Sequence, residues 1–90
     1  MSNPTIVMYT TNWCPYCERA RRLLRAKGAS FEEIDVESAA AKRAEMQARS
    51  GRRTVPQIFI GDHHVGGSDD LAALEDAGQL DAMLGKQPRN

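Results

Sequence analysis

The 90-residue sequence lacks several features that would suggest particular classes of protein. It has no net charge, with 12 basic and 12 acidic residues, so no overall field favours nucleic acid or an anionic membrane. No apolar run approaches the ~20 residues of a membrane span, and residues 1–4 lack the basic and apolar regions of a signal peptide. We therefore expect a single domain over residues 1–90, with a flexible tail at 85–90, that is cytoplasmic and monomeric.

Cysteine is scarce as well, since the chain has only Cys14 and Cys17. In a cytosolic protein structural disulfides are rare, and a Cys-X-X-Cys pair is more often catalytic or metal-binding. The β-branched and aromatic run at residues 6–9 predicts a buried strand before the pair. Residues 20–27 follow a helical pattern after it and end at Gly28. The pair is therefore expected where a strand ends and a helix begins.

This position has a chemical consequence for Cys14. The first N–H groups of a helix have no partner inside the helix, and the macrodipole leaves partial positive charge there. In such a setting the pKa of a cysteine falls from ~8.5 to roughly 3.5–7.5. Pro15 suits the first helical turn because its missing N–H costs nothing there, and Cys17 follows one turn along. We therefore expect Cys14 to be the attacking thiolate and Cys17 the resolving thiol.

A second strand is predicted around residues 31–36, which together with the first strand and helix implies a βαβ unit with parallel strands. Ser38 is expected to cap a second helix that extends through Arg49 and ends at Gly51. The packing face of this helix is poorly defined in the sequence, and Met46 is its best core residue.

The second half of the chain predicts a hairpin and a further helix. Residues 57–60 form one strand of the hairpin, with Ile58 and Ile60 on one face and Phe59 on the other. The partner strand begins at His63. Residues 68–70 then supply an N-cap and acidic residues to the first turn of a third helix, and Leu80, Met83 and Leu84 are expected to close the core.

Three motifs have a combined meaning: C-P-Y-C at 14–17, T-V-P at 54–56 and G-G-S-D-D at 66–70. In this order, and on a βαβ–ββα pattern, they resemble the glutaredoxin family of the dithiol type over residues 5–84. The resemblance implies an α/β, thioredoxin-like fold, with a four-stranded mixed sheet, helices on both faces and a cis proline in T-V-P. It also implies an enzyme that reduces protein disulfides and glutathione mixed disulfides, with glutathione as electron donor and no metal.

The same resemblance carries over a glutathione site, position by position: Cys14, Tyr16, Thr54, Val55, Pro56, Gly67, Ser68 and Asp69. Tyr16 offers a ring edge beside the sulfur, and the Val55 backbone can pair with the cysteinyl backbone of glutathione in β fashion. The helix start at Ser68 presents N–H groups to the γ-glutamyl carboxylate. Asp69 can accept a charge-assisted hydrogen bond from the γ-glutamyl ammonium.

Thr11 and Trp13, which both precede the first cysteine, depart from the family pattern. Many members carry a lysine where this chain has Thr11. That lysine would add positive charge near the thiolate and could pair with a glutathione carboxylate, and Arg52 or Arg53 is the candidate to replace it. Trp13 gives a thioredoxin-like W-C start, and we expect its ring to pack in the loop around the active site.

Other functions are compatible with the motifs. Trp13 and the missing lysine favour a glutaredoxin-like thioredoxin reduced by a flavoenzyme, whereas the double glycine before Ser68 disfavours it. An iron–sulfur cluster carrier is another alternative, which Pro15 disfavours by stiffening the loop. A zinc site could draw on the cysteine pair, His63 and His64, but adjacent strand residues point to opposite faces. We therefore expect both histidines to be solvent-exposed.

Overall fold

A computed structural model describes residues 4–85, whose strands form one four-stranded sheet. In chain order the elements are β1 (Ile6–Thr10), α1 (Pro15–Ala26), β2 (Glu32–Asp35), α2 (Ala40–Ser50), β3 (Gln57–Ile60), β4 (His63–Gly66), α3 (Ser68–Asp76) and α4 (Leu80–Met83). The strand order is β2-β1-β3-β4, with β1 parallel to β2 and antiparallel to β3, and β3 antiparallel to β4. The predicted α/β, thioredoxin-like arrangement is confirmed. The predicted flexible tail lies outside the described residues beyond Gly85.

The pleat of the strands separates two hydrophobic clusters, because successive side chains point to opposite faces. The buried residues of the first cluster are Ile6, Met8, Ala20, Leu24, Ile58, Ile60, Leu71, Leu80 and Leu84. On the other face Tyr9 and Phe59 pack with Val36 and with Met46 of α2. The predicted alternation of Ile58 and Ile60 against Phe59 is therefore confirmed, and helices cover both faces of the sheet.

Packing of α1 on the sheet fixes the position of the cysteine pair. Leu24 is fully buried, and burying such a side chain stabilises the fold by roughly 1.5–3 kcal/mol relative to leaving it exposed. The helix has Pro15 as its first residue and Cys14 as its N-cap, which agrees with the prediction that Pro15 lies in the first helical turn. Among residues 4–85, no helix has both the length and the apolar character to cross a membrane.

The start of α2 differs from the prediction. Ser38 does not cap this helix, which begins at Ala40 and has no side-chain cap. The Ser38 hydroxyl instead donates to Asp35 Oδ2 at 2.8 Å, and the Glu37 N–H donates to Asp35 Oδ1 at 2.7 Å. A carboxylate at the end of β2 attracts both donors and folds the turn around itself. The predicted stop at Gly51 is confirmed, since this residue adopts the left-handed conformation with φ of 70°.

Candidate active site

Cys14 and Cys17 form a disulfide at the N-terminus of α1, with their Cα atoms 5.2 Å apart. The backbone of Cys14 is extended, and its Sγ accepts a hydrogen bond from the Cys17 N–H at 3.2 Å. Cys17 is fully buried, whereas Cys14 is half-buried at the surface. A substrate can therefore reach the disulfide only through the Cys14 sulfur, as the roles predicted for the two cysteines require.

The T-V-P motif lies beside this sulfur. The peptide bond between Val55 and Pro56 is cis, which confirms the prediction from the resemblance. The carbonyl oxygen of Val55 lies 3.9 Å from Cys14 Sγ. Thr54 is exposed and Val55 half-buried, so the backbone of this segment borders the reactive end of the disulfide.

A groove of about 500 Å³ extends from Tyr16 across the T-V-P motif to the start of α3. Its lining residues are Tyr16, Arg52, Arg53, Thr54, Val55, Pro56, Gly67, Ser68, Asp69 and Asp70. All seven non-cysteine residues predicted to bind glutathione are among them. The motifs do not predict Asp70 as part of this groove, and they suggest Arg52 and Arg53 only as substitutes for the missing lysine.

Asp70 organises the α3 end of the groove. Its Oδ2 accepts a hydrogen bond from the Gly67 N–H at 2.9 Å and one from Arg52 Nη1 at 3.2 Å. The Gly67 N–H, and after it the Arg52 guanidinium, hold the pKa of the Asp70 carboxyl below its usual value against the opposing effect of burial. The N-cap of α3 is Gly67 and Ser68 is its first helical residue, so the prediction of an N-cap within residues 68–70 is wrong. An acidic residue three positions after an N-cap is the sequence signal that identifies Asp70.

The first glycine of the G-G-S-D-D motif, Gly66, is required for steric reasons. Its φ of 116° lies in the region that favours glycine, and a Cβ built on it would overlap the Asp70 carboxylate and come within 3.2 Å of Arg52 Nη1. Only glycine therefore allows β4 to end here while Asp70 caps α3 and contacts Arg52.

Trp13 does not pack in the loop, so that prediction is wrong. Its side chain is 86% exposed, because no part of residues 4–85 covers the turn between β1 and α1 on this side. Trp13 and Cys14 line a second depression, of about 560 Å³, together with Asn12, Pro15, Glu18, Arg19, Arg21 and Arg22. None of these residues lines the first groove. Cys14 lines the second depression, and its Sγ lies 3.9 Å from the carbonyl oxygen of Val55, which lines the groove.

The two histidines of β4 have different surroundings. His63 is exposed as predicted, but His64 is half-buried, and its Nε2 lies 2.7 Å from Gln57 Oε1. Its ring also stacks on Phe59 with 4.8 Å between centroids, so the prediction of full exposure is wrong for His64. Within residues 4–85, no three His, Cys, Asp or Glu side chains are grouped so that they could hold a metal ion.

Comparison with known proteins shows how far the likeness extends. A family model described as Glutaredoxin matches residues 6–65, from β1 into β4. The glutaredoxin of Pseudomonas aeruginosa is 57% identical over 81 residues, which are 90% of this chain and 96% of that protein. The solution structure of glutaredoxin from Brucella melitensis is also 57% identical, with a TM-score of 0.83 and 98% of both chains covered.

A more distant solved structure has a similar fold. The crystal structure of the buckwheat glutaredoxin–glutathione complex is 34% identical, with a TM-score of 0.83, and the match covers 92% of this chain and 77% of that chain. Glutaredoxins are glutathione-dependent thiol–disulfide oxidoreductases, and the disulfide between Cys14 and Cys17 is the redox pair of their dithiol type. This chain therefore belongs to the glutaredoxin family and is a thiol–disulfide oxidoreductase.

Proposed function

We propose that this protein uses glutathione to reduce both protein disulfides and glutathione mixed disulfides, and that it works as a cytoplasmic monomer without a metal, nucleic acid or membrane. The groove beside the accessible sulfur supports this most directly, because it joins seven residues predicted for a glutathione site. The solved buckwheat relative is described as a complex with glutathione. A single domain over residues 1–90 is part of the same proposal.

Reduction of a glutathione mixed disulfide needs only one of the two cysteines. The Cys14 thiolate attacks the glutathione sulfur, a new disulfide joins Cys14 to glutathione, and the protein thiolate leaves and takes up a proton. A second glutathione thiolate then attacks the glutathione sulfur in this intermediate. Cys14 leaves as a thiolate, and oxidised glutathione is the product.

Reduction of a protein disulfide uses the second cysteine. The Cys14 thiolate attacks one sulfur of the substrate disulfide, and the other substrate sulfur leaves as a thiol. The Cys17 thiolate then attacks Cys14 Sγ and releases the second substrate thiol, which leaves the disulfide seen in the structure. Two glutathione molecules restore the dithiol and are themselves oxidised.

The charges of glutathione match groups along the groove. The N–H groups at the start of α3 would receive the γ-glutamyl carboxylate, and Asp69 would accept a hydrogen bond from the γ-glutamyl ammonium. The Val55 backbone would pair with the cysteinyl unit and hold its sulfur near Cys14. Arg52 already contacts Asp70, so Arg53 is the better placed cation for the glycine carboxylate. Tyr16, 55% exposed, and Pro56 would border the sulfur.

The second depression supports the idea that protein substrates bind as well as glutathione. Trp13 exposes a large aromatic surface next to Cys14, and exposed apolar surface is a common mark of a protein-binding site. Because this surface and the groove share no lining residue, a polypeptide and glutathione would approach the same sulfur from different sides.

A coupled assay tests the electron donor. We expect turnover of a glutathionylated peptide with glutathione and glutathione reductase, and little turnover with thioredoxin reductase. Comparable or faster turnover with thioredoxin reductase would support the glutaredoxin-like thioredoxin instead. A visible absorption band in the purified protein would point to the cluster carrier.

Two serine variants test the assigned roles of the cysteines. Cys14→Ser should abolish every reduction, because the attacking sulfur is lost. Cys17→Ser should still remove glutathione from a mixed disulfide but lose most reduction of protein disulfides. Full deglutathionylation by Cys14→Ser would contradict this assignment.

A further inference from the structure

Gln57 is a buried polar side chain that connects β4 to the T-V-P motif. It is the first residue of β3 and is fully buried. Its Nε2 donates hydrogen bonds to the Thr54 carbonyl oxygen at 3.0 Å and to Thr54 Oγ1 at 3.1 Å. Its Oε1 lies 2.7 Å from His64 Nε2. Every polar atom of this amide thus has a partner, as burial requires.

These contacts also determine which ring nitrogen of His64 carries a proton. A carbonyl oxygen such as that of Thr54 accepts but cannot donate, so the NH₂ group of Gln57 must face it. The Gln57 oxygen is then left facing His64, and Nε2 of the imidazole has to be the donor. The chain of hydrogen bonds therefore has one direction, from His64 through Gln57 to Thr54.

The ring of His64, which begins this series of hydrogen bonds, is held in place by its own contacts. Its ring stacks on Phe59, and the Arg49 guanidinium lies 4.1 Å from the Phe59 ring centroid. Burial lowers the pKa of His64 first of all, and the nearby cations, Arg52 foremost, lower it further, while Asp70 raises it. The neutral ring with a proton on Nε2 is consistent with this environment.

We propose that His64 and Gln57 act as positioning residues that fix the backbone of Thr54 and Val55 for glutathione binding, an inference that rests on the proposed function. Gln57 is bonded to Thr54, the neighbour of the Val55 backbone that would pair with glutathione. Neither side chain lines the groove or borders the sulfur. Loss of the hydrogen bonds from His64 through Gln57 to Thr54 should therefore weaken glutathione recognition and leave the reactivity of Cys14 unchanged.

The main test is His64→Phe, which keeps a ring to stack on Phe59 but removes the donor to Gln57. We expect the KM for a glutathionylated peptide to rise about 3- to 10-fold, the usual effect of one lost neutral hydrogen bond. The kcat and the rate of Cys14 alkylation, measured in the Cys17→Ser background, should not change. Reduction of a peptide disulfide driven by dithiothreitol should not change either, since no glutathione takes part.

Two further variants separate positioning from general structure. His64→Gln places an amide NH₂ near the position of the imidazole Nε2, so its KM should be close to that of the wild type. His63→Phe alters the neighbouring exposed histidine and should leave every parameter as in the wild type. The imidazole ¹⁵N spectrum of the wild type should show the proton on Nε2, a readout that needs no variant.

The outcomes distinguish this inference from the function on which it rests. No turnover of glutathionylated peptide by wild-type protein would refute the proposed function. Normal wild-type turnover with an unchanged KM in His64→Phe would refute only the positioning role of His64 and Gln57. Equal losses with and without glutathione, or a proton on Nδ1 of His64, would also overturn it.

Discussion

Asp69 and Asp70 are adjacent, carry the same charge and line the same groove, yet the structure predicts different effects for their substitution. Asp70 uses Oδ2 for Gly67 and Arg52, so its carboxylate is committed within the protein. Asp69 is exposed in the first turn of α3 and is the carboxylate proposed to meet the glutathione ammonium. The variants Asp69→Asn and Asp70→Asn each remove one negative charge, so comparing them separates ligand recognition from stability.

The effect expected for Asp69→Asn is on binding. A hydrogen bond to a charged group contributes about 1.5–3 kcal/mol. At 1.4 kcal/mol per factor of ten, its loss should lower kcat/KM for a glutathionylated peptide by roughly 10- to 100-fold. The free energy of unfolding should fall by no more than about 0.3–1 kcal/mol, because the substitution is isosteric and exposed and only the interaction with the N-terminus of α3 is lost.

The effect expected for Asp70→Asn is on stability. The asparagine oxygen can still accept from Gly67, so only the charge is lost. Asp70 and Arg52 have side chains 47% and 51% exposed, and such a pair contributes only ~0–1 kcal/mol after solvent screening. The interaction with the N-terminus of α3 adds about 0.3–1 kcal/mol. A total near 1 kcal/mol would lower the Tm of a domain of this size by about 4–8 °C.

Urea unfolding and steady-state kinetics on both variants provide the test. The stability difference at Asp70 should also depend on pH. The folded-state pKa of Asp70 is depressed, so its contribution is present above the unfolded value near ~3.9 and is lost as the pH falls through the lower folded value. If Asp69→Asn destabilised the fold more than Asp70→Asn, or impaired substrates with and without glutathione equally, the separation of roles would be wrong.

Two more predictions concern the stability of the fold. Gly66→Ala should destabilise the protein by about 1–3 kcal/mol in urea unfolding, because its Cβ would displace the Asp70 carboxylate at a left-handed φ. Gly61→Ala, at a φ of 60° with open space around it, is the control and should cost less, and equal losses would show that the Asp70 contact is unimportant. Lys27 joins α1 to Glu75 and Asp81 at 2.7 and 3.0 Å, and its pKa is raised by the Glu75 bond first. Its stabilisation is present below the unfolded value of ~10.4 and is lost as the pH rises through the higher folded value, so the deficit of Lys27→Met should shrink as the pH rises above ~10.4, and a constant deficit would contradict this.

The family resemblance, which short continuous motifs carry, predicted seven residues that line one groove in the structure. T-V-P and G-G-S-D-D each hold their residues together by covalent connection, so placing the two motifs near the cysteine pair was enough to assemble the groove. Alternation within β3 likewise assigned Ile58 and Phe59 to opposite clusters, because the period of a strand is fixed by its geometry.

The sequence did not predict the contacts made between separate elements. The bond from Gln57 to His64 joins two strands, and its existence depends on the register of the hairpin and on stacking against Phe59. Ser38 had two competing partners, a free helix end and the Asp35 carboxylate, and only the folded turn decides between them. Trp13 has a large aromatic side chain of the kind that is usually buried. Burial requires another element to pack over the ring, and residues 4–85 supply none.

The hydrogen bond from the Cys17 N–H to Cys14 Sγ explains why the two cysteines are chemically unequal beyond their exposure. In the disulfide the acceptor is a neutral sulfur, but after reduction it is a thiolate, and hydrogen bonds to charged acceptors are about twice as strong. The α1 dipole acts in the same direction. The backbone of residue 17 thus stabilises Cys14 as a leaving group each time a disulfide to it is broken. This donor belongs to the peptide unit and not to the thiol, so it survives Cys17→Ser. That variant should therefore lose the resolving reaction while keeping the helix-stabilised thiolate on which removal of glutathione depends.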